Sequence, residues 1–590
     1  MLYLRRIRSL KPNYFINFSR TMYKFCVRCV DNEESIQISV EYAFNGGASR
    51  IYNACRPKKE NVENSLTRLA QNINKRVNKK KKKTDNEVNQ VVLELFQNDG
   101  VTKIADTVTA QCGFSQGNVI HIADTKYTVD VNPPSCLGIF IPQSIMVGFP
   151  LFPQVDIEFC SLEDSSFLWE KVKYAEREGN SAQECNSRKR DPAMVIERRE
   201  ICQNLLYTPT NDDIGYCLSV TCIPRSGERS GKSVTVESRY EVTAGPGLCP
   251  FETRHLYTQK TTQPEEIRVI SYNILADIYA DQDYSRDVLY PYCPAYALNI
   301  DYRKHLIIKE LKGYNGDIIC LQEVDSKVYQ GDLLTAMEIM GFEGVFKEKG
   351  GEVREGSAVF FRKSKFRLVA EYGEQIKDIL ETNSLCADII KKTYAVPALK
   401  EVFQTRTTVL HIVAVEPVDD PGKILLVANT HLYFHPDAGH IRMIQILVSM
   451  RYIESLLQHY KKQKPSLIFC GDFNSTPHRA IYEFMTTKSV KEDNIDWKDG
   501  GDDQFVPEMN FSHSLNIDSG CGLVAYTNYT SGFNGHLDYI YYDKDSFDVA
   551  QIIPPPEHKE VEFHTALPSI VFPSDHIAQV CDLRWKTLQT

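Results

Sequence analysis

The stretch LIFCGDFNSTP, residues 467–477, runs four apolar residues straight into Gly-Asp-Phe-Asn. A strand buried on both faces reads as a continuous apolar run, which accounts for Leu467 to Cys470. It does not account for an acid and an amide, Asp472 and Asn474, set at its end. Strand ends in layered α/β proteins are where binding and catalytic groups are displayed, so this stretch predicts both a fold class and a candidate site.

The same pattern recurs. RVISYN ends at Asn273, DIICLQE at Glu323, and ILLVANTH at Asn429 and His431. Two segments reverse it: HLDYIYY places Asp538 just before an apolar run, and SDHIAQVCDL does so with Asp575 and His576. Strands leaving and entering one sheet edge can bring both kinds of residue to a common rim. Between them, residues 298–312 and 438–462 have helical character, the first stopped by Gly313 and the second followed by Pro465. Strands alternating with helices predict a layered α/β domain over 265–590.

The outputs of these strands are Asp, Glu, Asn and His, with no activated Ser or Cys among them. That inventory points to metal-assisted hydrolysis. Mg²⁺ takes oxygen ligands and keeps waters. Glu323 suits the ligand role, with Asn273 and Asn474 as neutral oxygens nearby. Asp472 could deprotonate a water, and His431 and His576 could hydrogen-bond phosphate oxygens. Asp575 could fix the tautomer of His576 or orient another histidine. Taken singly, a strand-end Asp or Asn is most often a turn or cap residue. Six such segments in one region are much harder to dismiss.

The remaining 264 residues read differently. Residues 1–30 carry seven Lys or Arg and no acid, interleaved with apolar residues, and predict a mitochondrial transit peptide. Residues 31–90 read as strand, a turn at Asn45–Gly47, a helix and five lysines, Lys79–Lys83, taken as a solvated linker. Residues 91–250 show short β runs with turn residues between them, and Trp169 and Cys160, Cys217 and Cys222 suggest an immunoglobulin-like module with reduced thiols. The seventeen cysteines are scattered, and Cys26-Val-Arg-Cys29 is a lone pair. A net charge of −9 argues against a protein that coats nucleic acid. No apolar run is long enough to span a bilayer.

The ordered motifs SYNILAD, LQEVD, NTHLYFHP, GDFNSTP, LDYIYYD and PSDHIAQVCDL resemble the endonuclease/exonuclease/phosphatase superfamily across residues 265–586. LYPYCPAYALNIDYRKHLIIKEL and AYTNYTSGFNGHLDYI are similar to its deadenylase branch, and the basic start and β-rich region to a mitochondrial member of it. The resemblance implies a four-layer α/β sandwich of two mixed β-sheets flanked by helices. It implies Mg²⁺, with Mn²⁺ as a substitute, held by Glu323, Asp472 and Asn474. Asp472 would be the acid/base residue, with Asn273, His431, Asp538, Asp575 and His576 completing the catalytic set. Phe533 would stack an adenine against Pro436, and Asn429 and Asn474 would assist substrate binding. The implied activity is phosphodiesterase and 3′-exoribonuclease hydrolysis of 2′,5′-oligoadenylate and of 3′,5′ poly(A) on mitochondrial RNA, giving 5′-AMP in the mitochondrial matrix. A monomer acting on RNA is the expectation. The competing readings are a phosphomonoesterase of the same fold and a non-catalytic RNA-binding adaptor.

Overall fold

The computed structural model describes residues 24–44, 48–78, 90–175, 194–351, 353–505 and 509–586. Most of the basic start, the Asn45–Gly47 turn, the Lys79–Lys83 run and the polar loop at 181–192 lie outside them. The chain divides into two compact units, one of Met1–Pro142, Pro153–Tyr207 and Gly215–Val242, the other of Gln143–Phe152, Thr208–Ile214 and Thr243–Thr590.

In the first unit, a six-stranded sheet has the order Arg50–Pro57, Ser35–Tyr42, Lys24–Arg28, Thr125–Val131, Val119–Ile122, Leu93–Phe96. Helix Val62–Asn78 buries Leu66, Leu69 and Ile73 in its core. Two expectations change here. Lys24–Arg28 pairs with a strand on each side, and Phe25, Cys26 and Val27 are buried. A presequence removed at residue 30 would take this internal strand with it. The boundary at 90 also dissolves, because strands from both sides of it share one sheet. Local composition shows the lysine run but not the pairing across it.

Farther on, Val195–Cys202, Ser166–Tyr174, Cys217–Ile223 and Val234–Glu237 form a four-stranded sheet around fully buried Trp169. Its companion among the described residues is a two-stranded ribbon, Ser135–Phe140 with Gln154–Glu158, rather than the second full sheet of an immunoglobulin sandwich. The described cysteines are free thiols, and burial pushes the Cys26 thiol up to about 12, which makes it unreactive.

The second unit carries the α/β region. Numbering the strands of its two large sheets alone, β1 is Glu266–Asn273, β2 Ile318–Asp325, β3 Phe342–Glu348, β4 Glu355–Arg362, β5 Phe366–Gln375 and β6 Val409–Pro417. They continue with β7 Leu425–His431, β8 Ser466–Asp472, β9 Ile517–Ser519, β10 Asp538–Asp543, β11 Phe547–Ile552 and β12 Gln579–Trp585. Two six-stranded sheets result, β3-β4-β2-β1-β12-β11 and β5-β6-β7-β8-β10-β9. Only β1–β2 and β7–β8 pair in parallel within them. Alternate residues face opposite ways. Val269, Ile318, Cys320, Leu425, Val427, Ile468, Cys470 and Ile540 therefore fill the layer between the sheets. Leu426, Ala428, Leu467 and Phe469 pack outward with helix α2, Gly439–His459, and its neighbours. Both faces of β7 and β8 are buried, as the apolar runs required.

Helix α1, Ile300–Tyr314, is N-capped by Asn299, whose side chain accepts from the Asp301 amide at 2.8 Å, and ends at Asn315 with φ +49°. On it, His305 is buried with Nε2 donating to the Ser144 carbonyl at 2.8 Å, and burial pushes its imidazole down to about 4. Between pH 6.5 and 4 the unfolded chain protonates this histidine and the native one does not. Its contribution to stability is thus present above that window and lost as pH falls through it, by up to about 3 kcal/mol. Melting temperatures from pH 7 to 4.5 are expected to fall less steeply in His305→Gln than in the wild type. Equal slopes would mean that His305 is already charged in the native state.

Candidate active site

The inward parity that builds the core also builds the site. Continuing 425, 427 along β7 reaches Asn429 and His431; 468, 470 along β8 reaches Asp472; 540 back along β10 reaches Asp538. His431 is the register partner of Asp472, and Asp472 of Asp538. Opposite them, β1 ends at Asn273. In β2 a bulge between Leu321 and Val324 breaks the pairing with β4, and Glu323 sits in it with φ +53°. Asn474 follows β8 with φ +47°. A non-glycine residue is costly in this region, and such strain collects where a side chain has to be aimed.

Asn273 links the two sheets' acids. Its Nδ2 donates to Glu323 Oε1 and to Asp472 Oδ2, each at 3.0 Å. Its oxygen accepts from the Leu275 amide at 3.1 Å, which fixes which end of the amide faces the acids. Asn273 is therefore a donor bridging two carboxylates, not the neutral oxygen ligand expected. Glu323 Oε2 accepts from the Ala276 amide and Asp472 Oδ1 from the Asn474 amide. Burial, then Asp575 and Glu355, push Glu323 up to about 7; burial, then Asp538, raise Asp472.

His576 Nδ1 lies 2.8 Å from Asp538 Oδ2, and its Nε2 lies 3.6 Å from Asp472 Oδ2. Burial opposes its charge, but Asp538, Asp472 and Asp575 hold its pKa well above the ordinary value. His431, with Nε2 3.6 Å from Asp472 and Nδ1 3.9 Å from Glu323, is driven the other way by burial, then by Lys349 and His576. The surroundings favour the charged form of His576 and the neutral form of His431, so one rim offers two different hydrogen-bonding histidines.

Two candidates land elsewhere. Asp575 does not orient a histidine: it accepts from Tyr290 Oη at 3.0 Å and Asn528 Nδ2 at 3.2 Å. Adjacent residues on one chain point apart, and Asp538, from another strand, takes that task. Asn429 is fully buried; its Nδ2 donates to the Leu321 and Ala358 carbonyls and its oxygen accepts from Gln322, so it ties the two sheets together and cannot touch a substrate. Phe533 is 47% exposed in the hairpin before β10, and a Cβ on Gly535 would lie 2.8 Å from its ring and 3.4 Å from Thr476. Pro436 is exposed, its carbonyl held by Arg442. His440 at the start of α2 bonds Gln504 at 3.0 Å and takes no part. Thr527, Tyr290 and Asn528 were not anticipated. Thr527 Oγ1 donates to Asp538 Oδ2, and its place in the AYTNYTSGF run was the available signal.

The donor set fits a hard divalent cation. Two buried carboxylates, held by a common amide, carry pKa values that burial and like charge have raised, and a cation between them would relieve both effects. Lys349, the nearby cation, is already paired with Glu355 at 3.0 Å. Asp472, Asp538 and His576 also offer ligand atoms within 4.8 Å of one another. His576 is already engaged with Asp538 there, so the Glu323–Asp472 side fits better. The NH₂ of Asn474 is anchored on the Leu432 carbonyl at 2.9 Å, which leaves a ligand role to its oxygen. No helix among the described residues is long and apolar enough to cross a membrane.

Known proteins resemble this chain along both units. A profile of the endonuclease/exonuclease/phosphatase family matches residues 270–576, and one of the 2′,5′-phosphodiesterase 12-like N-terminal domain matches 133–243. The mouse protein named 2′,5′-phosphodiesterase 12 is 41% identical over 96% of this chain and 95% of its own length. Its human counterpart is 39% identical over 96% and 94%. The Schizosaccharomyces pombe CCR4-Not complex 3′-5′-exoribonuclease subunit Ccr4 is 28% identical over 56% and 51%. Among solved structures, ANGEL2, a 2′,3′-cyclic phosphatase, is 22% identical with a TM-score of 0.46 over 55% of this chain and 96% of that one.

Proposed function

The chain belongs to the endonuclease/exonuclease/phosphatase family, and from that premise we propose a Mg²⁺-dependent phosphodiesterase that releases 5′-AMP from 2′,5′-oligoadenylate and from 3′,5′ poly(A) of mitochondrial RNA. The single observation that carries the reading is the Asn273 amide held between Glu323 and Asp472, with His576 and His431 both against Asp472. The near full-length likeness to proteins named 2′,5′-phosphodiesterase supports the linkage, and the Ccr4 likeness supports the 3′,5′ activity. The basic start supports a matrix address, and a monomer suffices because one chain supplies every group used.

Glu323 and Asp472, with the Asn474 oxygen, would hold the cation, for which Mn²⁺ is the natural substitute. When bound, it supplies charge against the phosphate and acidifies its water. Asp472, oriented by the Asn273 side chain and the Asn474 amide, would take the proton of the attacking water. His576, whose charged form Asp538 favours, would donate to a phosphate oxygen. Neutral His431 donates from the other side. Phe533, with Pro436, would stack the adenine of the leaving nucleotide.

The test is incubation of the full chain with 2′,5′- and 3′,5′-triadenylate, with and without Mg²⁺. AMP release that needs Mg²⁺ is expected from both, and the rate ratio sets linkage preference. Inorganic phosphate in place of AMP would make it a phosphomonoesterase, and binding without turnover an adaptor.

A further inference from the structure

Resting on the phosphodiesterase reading, we propose that Phe434 stacks the base next to the one being released, so that loop 432–436 is a second base platform. Three observations converge on it.

The first is position. β7, β8 and β10 lie side by side and end at the register partners His431, Asp472 and Asp538. Phe434 leaves from the end of β7, and Phe533 lies on the hairpin that leads into β10. The two aromatics therefore spring from the strands on either side of Asp472. Neighbouring strands are about 4.8 Å apart, and three residues of chain keep Phe434 within about 11 Å of His431.

The second is rigidity. Gln445 accepts from the Tyr433 amide at 3.0 Å, and Asn474 donates to the Leu432 carbonyl at 2.9 Å. Buried Arg442 donates to the carbonyls of Tyr433, His435 and Pro436. A buried cation given over to neutral carbonyls is an expensive way to hold an ordinary connection, since burial disfavours its charge. It makes sense for a loop whose shape is used.

The third is what the loop displays. Phe434 is 70% exposed, while Tyr433 meets its edge at 5.3 Å between centroids and is itself covered by Arg406 at 4.4 Å. A lone exposed phenylalanine is unremarkable on a surface. One fixed on a loop pinned at five backbone groups, beside a nucleotide site, is preorganised and loses little freedom on binding. Base stacking is the contact that suits it, because every base has a π-face.

The experiment uses diadenylate, in whichever linkage the wild type cleaves faster, and an analogue whose upstream base is replaced by hydrogen. On diadenylate, Phe434→Ala is expected to raise KM about tenfold with kcat within about twofold, and Phe434→Trp to restore it. On the analogue, the wild type already shows the tenfold rise and Phe434→Ala adds nothing further, the non-additivity of two groups in contact. Multiplying effects, an unchanged KM on diadenylate, or a fall in kcat instead would each overturn the proposal. No AMP from either probe with the wild type would instead refute the phosphodiesterase reading, and the platform with it.

Discussion

Asp472→Asn is expected to lower kcat about 10³-fold or more, the scale of a lost general base, while KM stays within a few-fold. The substitution keeps the size of the side chain but removes its ability to accept a proton and the charge with which it would help hold the cation. The melting temperature should stay within a few degrees of the wild type, because two effects oppose. The amide can accept from Asn273 or from the Asn474 backbone but not from both, and a buried donor left unpaired costs about 1–3 kcal/mol. Against this, the carboxylate that burial and Asp538 disfavour is gone. Steady-state kinetics and a thermal melt on one preparation separate the cases. A large loss of Tm would make Asp472 a structural residue, and full turnover would remove it from the chemistry.

Glu323→Gln is expected to abolish the response to Mg²⁺. A ligand that binds only the folded state stabilises it by about 2.7 kcal/mol at one hundred times its dissociation constant. For a domain this large that means several degrees of Tm. The wild type should show that rise, lose it in chelator and regain it on adding Mg²⁺ back. In Glu323→Gln the rise should vanish and hydrolysis fall about 10³-fold. The metal-free variant should stay within a few degrees of the metal-free wild type: the amide can accept from Asn273 or from the Ala276 backbone but not from both, while the carboxylate that burial and the Asp575 and Glu355 charges disfavour is gone. A wild-type-sized rise in the variant would move the ion to the Asp472, Asp538 and His576 side.

Much of this site was legible because strands buried on both faces write themselves as apolar runs, and a polar residue that ends such a run stands out. Asn273, Glu323, His431, Asp472 and Asn474 stand at or just past the ends of such runs, and Asp538 and His576 just before two more. Their partnerships were not legible. Nothing local to Asp575-His576 says that the histidine turns to Asp538, thirty-eight residues earlier, while the aspartate turns to Tyr290 and Asn528. Nothing in ILLVANTH separates Asn429, which binds the sheets to each other, from His431, two residues on at the rim. The two share a face, and only depth between the sheets divides them. The Lys24–Arg28 strand was hidden for a similar reason: five residues inside a basic stretch read as targeting until Ser35–Tyr42 and Thr125–Val131 are laid on either side.

The sequence by itself determined which residues alternate inward and where each apolar run stops, since hydrophobic burial and the two-residue period of a strand act over a few neighbours. Only the tertiary structure decided which strand ends meet, which acid holds which histidine, and which amides serve the core instead of the site. Those depend on register and sheet order, set by packing between segments hundreds of residues apart, and no local signal carries them.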